Sequence, residues 1–340
     1  MTAIRESHPE SGVPVETMFQ TTSVLTWRDR WVYVMARLGD RRGERRVAPG
    51  LYRLGSPGPA SPVFVTANYA LSFDALRSSL PGLDGFILVL DTQGINVWCA
   101  AGKGTFGTDE LVRRTQATGL KEAVTHRRLI LPQLAAPGVA AHEVVRRAGF
   151  RVEYGPVRAA DLPEYLRNGK ATAEMRIVRF DLVDRLVLIP VEGVHLLLPT
   201  LVGAALAYLA GGAAAALAVV VAVLAGIALF PILLPWIPTA DFSSKGFLLG
   251  FLLMLPFAAL ALLAGQASAG WQQAAVALVY LLALPPVTAY LALNFTGSTT
   301  MTSRSGVKAE IYAYIPWMAG LLGAGLVVFV VLLLARLFGA

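Results

Sequence analysis

The sequence predicts two domains in tandem: a small parallel, Rossmann-like α/β sheet domain, followed by an all-α transmembrane domain of five helices. Three observations predict it. Strand-like and helix-like segments alternate at close spacing between residues 63 and 154. Charge then nearly disappears, for after Glu192 only Asp241, Lys245, Arg304, Lys308, Glu310 and Arg336 carry it. The same stretch holds five apolar segments, each long enough to cross about 30 Å of hydrocarbon at about 1.5 Å per residue. Hydrophobic residues make up 55% of the 340 and charged ones 15%, a balance foreign to a soluble protein of this length. The expected boundaries are a lead-in and linker over 1–60, the α/β domain over 61–167, a connector over 168–190 and the transmembrane domain over 191–340.

The chain opens on a polar stretch, MTAIRESHPESG, without an apolar core, so no cleavable signal peptide is expected and residues 1–20 read as a loose tail. A lead-in over 21–52 places Trp27 and Trp31 on one helical face. Its arginines at 41, 42, 45 and 46 read as a solvated loop, or as a contact for anionic lipid or an acidic partner. GSPGPASP at 55–62 is a turn-rich linker. Short runs at 63–66, 85–90, 129–131 and 151–154 are strand-like, and 71–80, 108–118 and 139–148 helical, Thr108 capping the second. Asn96 caps a further helix that starts at Val97. In parallel sheets of this kind ligands bind at the carboxyl ends of the strands. Those ends are 66–68, 91–96, Pro132 with Gln133, and Gly155 with Pro156 and Val157: four loops on one rim, with room for a cofactor wider than a nucleotide.

The stretch DTQGINVWCAAGKGTFG at 91–107 carries the only cysteine of the sequence, Cys99, in the first turn of that capped helix. The dipole and free N–H groups of a helix N-terminus favour negative charge on such a sulfur. Ala100, Ala101 and Gly102 add little side-chain bulk, and Gly102 and Lys103 share the face of Cys99 at helical spacing. A wide, flat group can approach such a surface, which makes Cys99 a candidate axial ligand for a planar metal cofactor. Taken alone, an inert core cysteine is the plainer reading. Gly102, Gly104 and Gly107 also fit G-x-G-x-x-G, but weakly, because they stand about a dozen residues past the strand. A phosphate-binding P-loop is excluded, since Lys103 lacks both the earlier glycine and the following Ser or Thr. His126 and His142 neighbour arginines and read as solvated helix positions. A single cysteine excludes an intrachain disulfide, a cysteine-rich zinc site and a cysteine-held iron–sulfur cluster within this sequence. The net charge of +7 does not point to nucleic acid, as no basic run is interleaved with aromatics.

The five apolar segments lie near 194–211, 213–236, 247–267, 271–293 and 311–334, and residues 196–240 and 246–303 hold no charged side chain. Arg176, Arg179, Arg185, Lys245, Arg304 and Lys308 fall on one side of the expected membrane. By the positive-inside tendency that side, with the N-terminal domain, is cytoplasmic, and only Arg336 breaks the pattern. Glu192 and His195, three apart at the mouth of the first span, read as an interfacial pair. No set of buried charges marks a transport path.

NVWCAAGK at 96–103 resembles the cobalamin-binding signature of the mercury-methylating corrinoid proteins (HgcA type). The similarity extends through VTANYALSFDALR (65–77), FILVLDTQGINVWCAAGKGTFGTDELV (86–112), HRRLILPQL (126–134) and GFRVEYGPVRAADLP (149–163). These segments also resemble the corrinoid domain of the corrinoid iron–sulfur protein of the acetyl-CoA pathway, which lacks the membrane region that the mercury-methylating family has.

The resemblance implies that the α/β domain binds cobalamin or a related corrinoid, held without its own nucleotide base on cobalt. Cys99 would be the catalytic residue and the lower axial cobalt ligand. Asn96, Val97, Trp98, Ala100, Ala101, Gly102 and Lys103 would shape the surface under the ring, and Thr66, Pro132, Gln133, Gly155, Pro156 and Val157 would contact it from the strand ends. A thiolate trans to a methyl group weakens the cobalt–carbon bond and suits an electrophilic acceptor. The implied activity is that of a membrane-bound corrinoid-dependent methyltransferase, passing a methyl group from methyl-Co(III) to Hg(II) to give methylmercury. Implied partners are a folate-type methyl donor acting through a methyltransferase and a ferredoxin-like iron–sulfur protein with free cysteines, which donates electrons and delivers Hg(II). The implied location is the inner (cytoplasmic) membrane, multi-pass, with the corrinoid domain in the cytoplasm. Two alternatives stand beside it: a corrinoid methyl carrier for another metalloid or a carbon-metabolism acceptor, and a permease with a nucleotide-sensing domain.

Overall fold

The computed structural model describes residues 18–39, 44–263, 270–298 and 304–338. Most of the expected tail, Arg41, Arg42, the turn before Trp271 and the middle of the loop before Arg304 lie outside the described residues. The chain divides into two units, Met1–Val178 and Arg179–Ala340.

In the first unit the strands are β1 (Phe19–Thr21), β2 (Gly50–Leu54), β3 (Val63–Ala67), β4 (Gly85–Leu90), β5 (Arg128–Leu131) and β6 (Arg151–Tyr154). They form one sheet in the order β1-β2-β4-β3-β5-β6. The four strands expected from sequence, β3 to β6, are mutually parallel. The sheet as a whole is mixed, because β2 runs antiparallel to β4 and β1 parallel to β2. Both extra strands come from the region expected to be a lead-in. GLYRL at β2 covers what would otherwise be an open edge of β4, with its bonding groups unpaired.

Among the described residues seven α-helices accompany the sheet: α1 (Trp27–Arg37), α2 (Ala70–Ser78), α3 (Val97–Lys103), α4 (Thr108–Ala117), α5 (Leu120–Ala123), α6 (Ala141–Ala148) and α7 (Leu162–Asn168). Side chains alternate across the sheet with the two-residue period of a strand. Val65, Leu88 and Leu129 point into one core with Val97 of α3, Leu111 of α4 and Val144 of α6. Phe64, Ile87 and Ile130 point into the other with Phe73 of α2 and Leu162 and Tyr165 of α7. Each such side chain, fully buried, stabilises the fold by about 1.5–3 kcal/mol. Covered on both faces, the central strands β3 and β4 are buried along their whole length.

The second unit holds α8 (Leu182–Leu186), α9 (Ile189–Leu224), a π turn over Ala225–Leu229, α10 (Phe230–Leu233), α11 (Phe242–Leu263), α12 (Gly270–Asn294) and α13 (Arg304–Phe338). Among the described residues four stretches are long and apolar enough to cross a membrane: Leu182–Leu233, Phe242–Leu263, Gly270–Gly297 and Ser305–Phe338. The first is not a single rod. Gly212 has φ 74° and ψ −166°, a backbone region open essentially to glycine alone. Beyond it the chain folds back. A Cβ added at Gly203 would stand 3.5 Å from Val219, and Leu196 packs with Val223 and Ile227. A straight helix would hold Gly203 and Val219 more than about 20 Å apart. The five expected segments thus fall on four stretches, the first of which is a hairpin.

Small residues let these helices approach: Gly246 and Gly250 of α11 lie against Thr288, Ala289 and Ala292 of α12. Most of the apolar surface faces outward, and only 22% of the most hydrophobic window in Ser305–Phe338 is buried. Helices in contact with lipid look like this.

Several charged and polar groups of this unit have defined partners. Arg185 donates to the carbonyls of Pro231 and Ile232 at 2.9 and 2.7 Å, where a helix end favours a cation. Glu310 accepts from the Ser243 N–H at 2.6 Å, at the N-terminus of α11. The Tyr314 hydroxyl donates to Asp241 at 2.7 Å. Arg336 donates to the Ala210 carbonyl at 2.9 Å, beside the hairpin turn. Glu192 and His195 form no hydrogen bond or ion pair with each other among the described residues.

Candidate functional site

The chain leaves β3 for β4 on one side and later crosses to β5 on the other. The place where strand order reverses is where open α/β sheets bind ligands, beyond the carboxyl ends. A cleft of about 280 Å³ opens there. Thr66 ending β3, Asn96, Val97 and Trp98 opening α3, Pro132 after β5, and Pro156 and Val157 after β6 line it, with Ser72 and Leu76 of α2 as a further wall. All four expected strand-end loops thus converge on one cavity, the 91–96 loop through Asn96 at the helix entry. Ser72 and Leu76 were not expected; the position of α2 directly after β3 is the sequence signal that would have found them.

Asn96 adopts the extended conformation of an N-cap, and its side-chain oxygen accepts from the Cys99 N–H at 2.9 Å. Cys99 is free and exposed. Gly102 and Lys103 are exposed with it. Ala100 and Ala101 correct the expectation: they turn inward and pack in the core beneath the sheet, 0% and 5% exposed. The seven-residue helix has only one outward face, and residues one and two past Cys99 rotate away from it. Gln133 and Gly155 also differ from expectation, as neither lines the cleft. Gln133 accepts from Arg176 at 2.7 Å, and Gly155 donates its N–H to the Leu131 carbonyl at 2.8 Å in the space beside Ile130.

Other expectations resolve into structure. Gly104 is the left-handed C-cap of α3, with φ 84°, so the first two G-x-G-x-x-G glycines end a helix where a dinucleotide site would have them follow a strand. Gly107 is the N-cap of α4, and the Thr108 hydroxyl instead accepts from the Ala140 N–H at 2.9 Å. His126 lies outside any helix. Its ring bridges the Ser61 carbonyl at 2.8 Å and the Arg128 N–H at 3.2 Å.

The loop before α3 is held by a residue that sequence reasoning did not single out. Asn68, 2% exposed, accepts from the N–H groups of Thr92 and Gly94 and from the Thr92 hydroxyl, while its amide donates to Asp91. Gln93 and Gly94, with φ 59° and 75°, make the tight turn this requires.

No Asp, Glu, His, Lys or Arg lines the cleft among the described residues. Shifted ionisable groups stand elsewhere. The hydrogen bond from Arg128 holds the Glu153 carboxyl below its usual range. Burial raises the Tyr154 and Tyr165 phenols, and raises that of Tyr52 to about 12. An apolar cavity with a few hydrogen-bonding groups at its rim has the character common among small-molecule sites.

A sheet covered on both faces, with a cleft at the strand-order reversal, defines the class: an α/β domain with a mixed sheet whose candidate site lies at the carboxyl ends of its parallel strands. Residues 18–165 match the family model described as CO dehydrogenase/acetyl-CoA synthase delta subunit. The chain is 35% identical over 129 residues to the acetyl-CoA decarbonylase/synthase complex subunit gamma of Archaeoglobus fulgidus, covering 37% of this chain and 27% of that one. The corresponding subunit of Methanopyrus kandleri is 33% identical over 129 residues, 37% of this chain and 28% of its own. That of Methanocaldococcus jannaschii is 30% identical over 131 residues, 38% and 26%. The chain spans roughly a quarter of the length of these curated relatives, and the family match lies wholly within the first unit.

Proposed function

We propose that the first unit binds a cobalt corrinoid over the carboxyl rim of its sheet, with Cys99 as lower axial ligand, and carries a methyl group on it while the helical unit sits in a membrane. One observation carries this reading. An exposed cysteine occupies the first turn of the helix whose opening residues line an apolar cleft. Among the described residues no group of three or more His, Cys, Asp or Glu could hold a bare metal ion. A single sulfur ligand suits a metal that arrives with its equatorial ligands in a macrocycle. The cleft, about 280 Å³, falls just short of the usual small-molecule range of about 300–1,000 Å³. It fits an apolar appendage better than the ring itself, and a corrinoid held without its base on cobalt has that base to place.

Bound, the corrinoid supplies the metal that carries the methyl group. Cys99 would hold the cobalt through its sulfur, an electron-rich donor. Val97, Ala100 and Ala101, packed in the core, fix α3 so that the sulfur cannot withdraw. Lys103 offers a cation to the polar periphery of the ring, and Thr66 and Asn96 offer hydrogen bonds at the mouth of the cleft. Gln133 and Gly155 support the loops from behind.

Two acceptors fit. The relatives are subunits of an acetyl-CoA decarbonylase/synthase complex, which favours a methyl carrier serving a carbon-metabolism partner within an assembly. Transfer to Hg(II) is supported by the NVWCAAGK sequence and by the apolar helical unit. Either way an iron–sulfur partner with free thiols supplies electrons, because this chain has one cysteine, and a methyltransferase with a folate-type donor reloads the cofactor. With the hairpin at Gly212 the helical unit makes five crossings, and the positive-inside tendency puts the first unit in the cytoplasm.

The test is cobalt content and absorption spectrum of the full chain made where corrinoid is available, followed by a methylmercury assay of the wild type, Cys99→Ala and Cys99→Thr. Bound corrinoid with methylmercury that disappears in Cys99→Ala supports transfer to Hg(II). Bound corrinoid without methylmercury supports the carbon-metabolism carrier. A chain without cobalt refutes both.

A further inference from the structure

The outward face of α1 plays no part in the cleft. Along it Trp27, Trp31 and Val34 follow one another at helical spacing, 77%, 52% and 47% exposed, with Val24, 70% exposed, at the entry. The two indoles stand 6.3 Å apart. Arg28 and Arg30, both exposed, flank this stripe on either side. The one acid of the helix, Asp29, faces the body of the unit and pairs with buried Arg77 at 2.7 Å. The face is therefore cationic at its margins and apolar along its centre. It is also rigid: a capping box at Thr26 and Asp29 fixes the start of α1, and Arg77 further donates to the carbonyls of Thr22 and Val24 at 2.8 and 2.9 Å.

Tryptophan belongs to the headgroup layer of a bilayer, where its ring is half wet, and arginine beside it meets anionic phosphate. A pocket for another protein would ordinarily be shaped; this is a convex stripe that suits a deformable surface. We infer that α1 lies in the headgroup layer of an anionic membrane, its Trp27–Trp31 edge inserted and Arg28 and Arg30 on lipid phosphates. The inference rests on the membrane reading of the helical unit, which keeps a bilayer within reach of α1 and makes a weak contact sufficient.

The test uses the full chain in nanodiscs of phosphatidylcholine with and without phosphatidylglycerol, built with ordinary or dibrominated acyl chains. Subtracting the emission of Trp27→Phe/Trp31→Phe from that of the wild type isolates the two indoles; both side chains are exposed, and circular dichroism verifies that the variant folds. The expected result is quenching of this difference emission by brominated lipid of about twofold, stronger with phosphatidylglycerol. Arg28→Glu/Arg30→Glu should reduce it to the level of neutral discs. Emission untouched by brominated lipid in a chain that has entered the discs overturns the inference, whether acrylamide reaches the indoles or not. A chain that does not enter the discs overturns the membrane reading and this inference together.

Discussion

Asn68 and Thr92 are joined twice: the carboxamide oxygen of Asn68 accepts from the Thr92 N–H at 3.1 Å and from its hydroxyl at 2.9 Å. Since Thr92 is fully buried, this pair fixes how the chain passes from β4 to the helix that bears Cys99. Asn68→Ala leaves buried donors without an acceptor and should cost on the order of 3 kcal/mol. Amide exchange at Thr92 and Gly94 should accelerate, and under the proposed function corrinoid retention should fall although no cleft residue has changed. Unchanged exchange at both amides would show that the loop is held by something else.

Asn96 contributes on a smaller scale. Asn96→Ala removes the cap bonded to the Cys99 N–H and should cost about 1 kcal/mol, with Asn96→Ser or Asn96→Asp recovering most of it. Thermal unfolding of the three variants checks the ranking.

Arg77 is 6% exposed and binds Asp29, Asp74 and two carbonyls. Arg77→Met abandons two carboxylates against the body of the unit and should destabilise it by about 3–5 kcal/mol. Limited proteolysis should then cut within or before α1 first. An intact α1 under these conditions would mean that packing around Ala36 suffices to hold it.

Glu153 and Arg128 join β6 to β5 across the sheet edge at 2.7 Å. The guanidinium depresses the folded-state Glu153 pKa below 4.5. Its contribution is therefore complete above the unfolded value and is lost as pH falls through the lowered one. Because the pair is partly exposed, Glu153→Gln should cost only about 0.5 kcal/mol at neutral pH. The gap between wild type and variant should close on acidification below pH 4.5, and shrink in high salt. Denaturant midpoints across that pH range measure it.

Gly212 closes the helical hairpin in a conformation that other residues avoid. Gly212→Ala should cost about 1–3 kcal/mol and loosen the contact between Leu196 and Val223. A cysteine pair at Gly203 and Val219 in a Cys99→Ser background should cross-link readily, whereas a straight helix would forbid it.

Much of the α/β fold is legible in the sequence because its signals are local. Strands β3 to β5 are short, mainly apolar runs between turn residues, β6 follows them at the same spacing, and the Asn96 cap is announced by residue type and by the helix after it. The strand-end loops were legible too, since parallel topology alone sends them to one rim. The lead-in strands were not. β1 is three residues long, and β2 is followed at once by the Gly- and Pro-rich linker, so neither has a period to read; only the open edge of β4 recruits them. Ala100 and Ala101 were misplaced for a different reason. Small size says that a ring could lie against them, but rotation about a helix axis fixed by core packing decides which way they face.

The sequence by itself determined that an α/β unit precedes an apolar helical one, that parallel strands end in loops on a common rim, and that one sulfur stands at the start of a capped helix. Composition and short-range periodicity are enough for that. Only the tertiary structure decided which loops line the cleft, that Asn68 holds the approach to Cys99, that Gln133 and Gly155 stand back, and that the first apolar stretch is a hairpin. Each depends on contacts between residues distant along the chain. Such contacts are set by how whole surfaces pack and by where buried polar groups find partners, and no window of neighbouring residues records them.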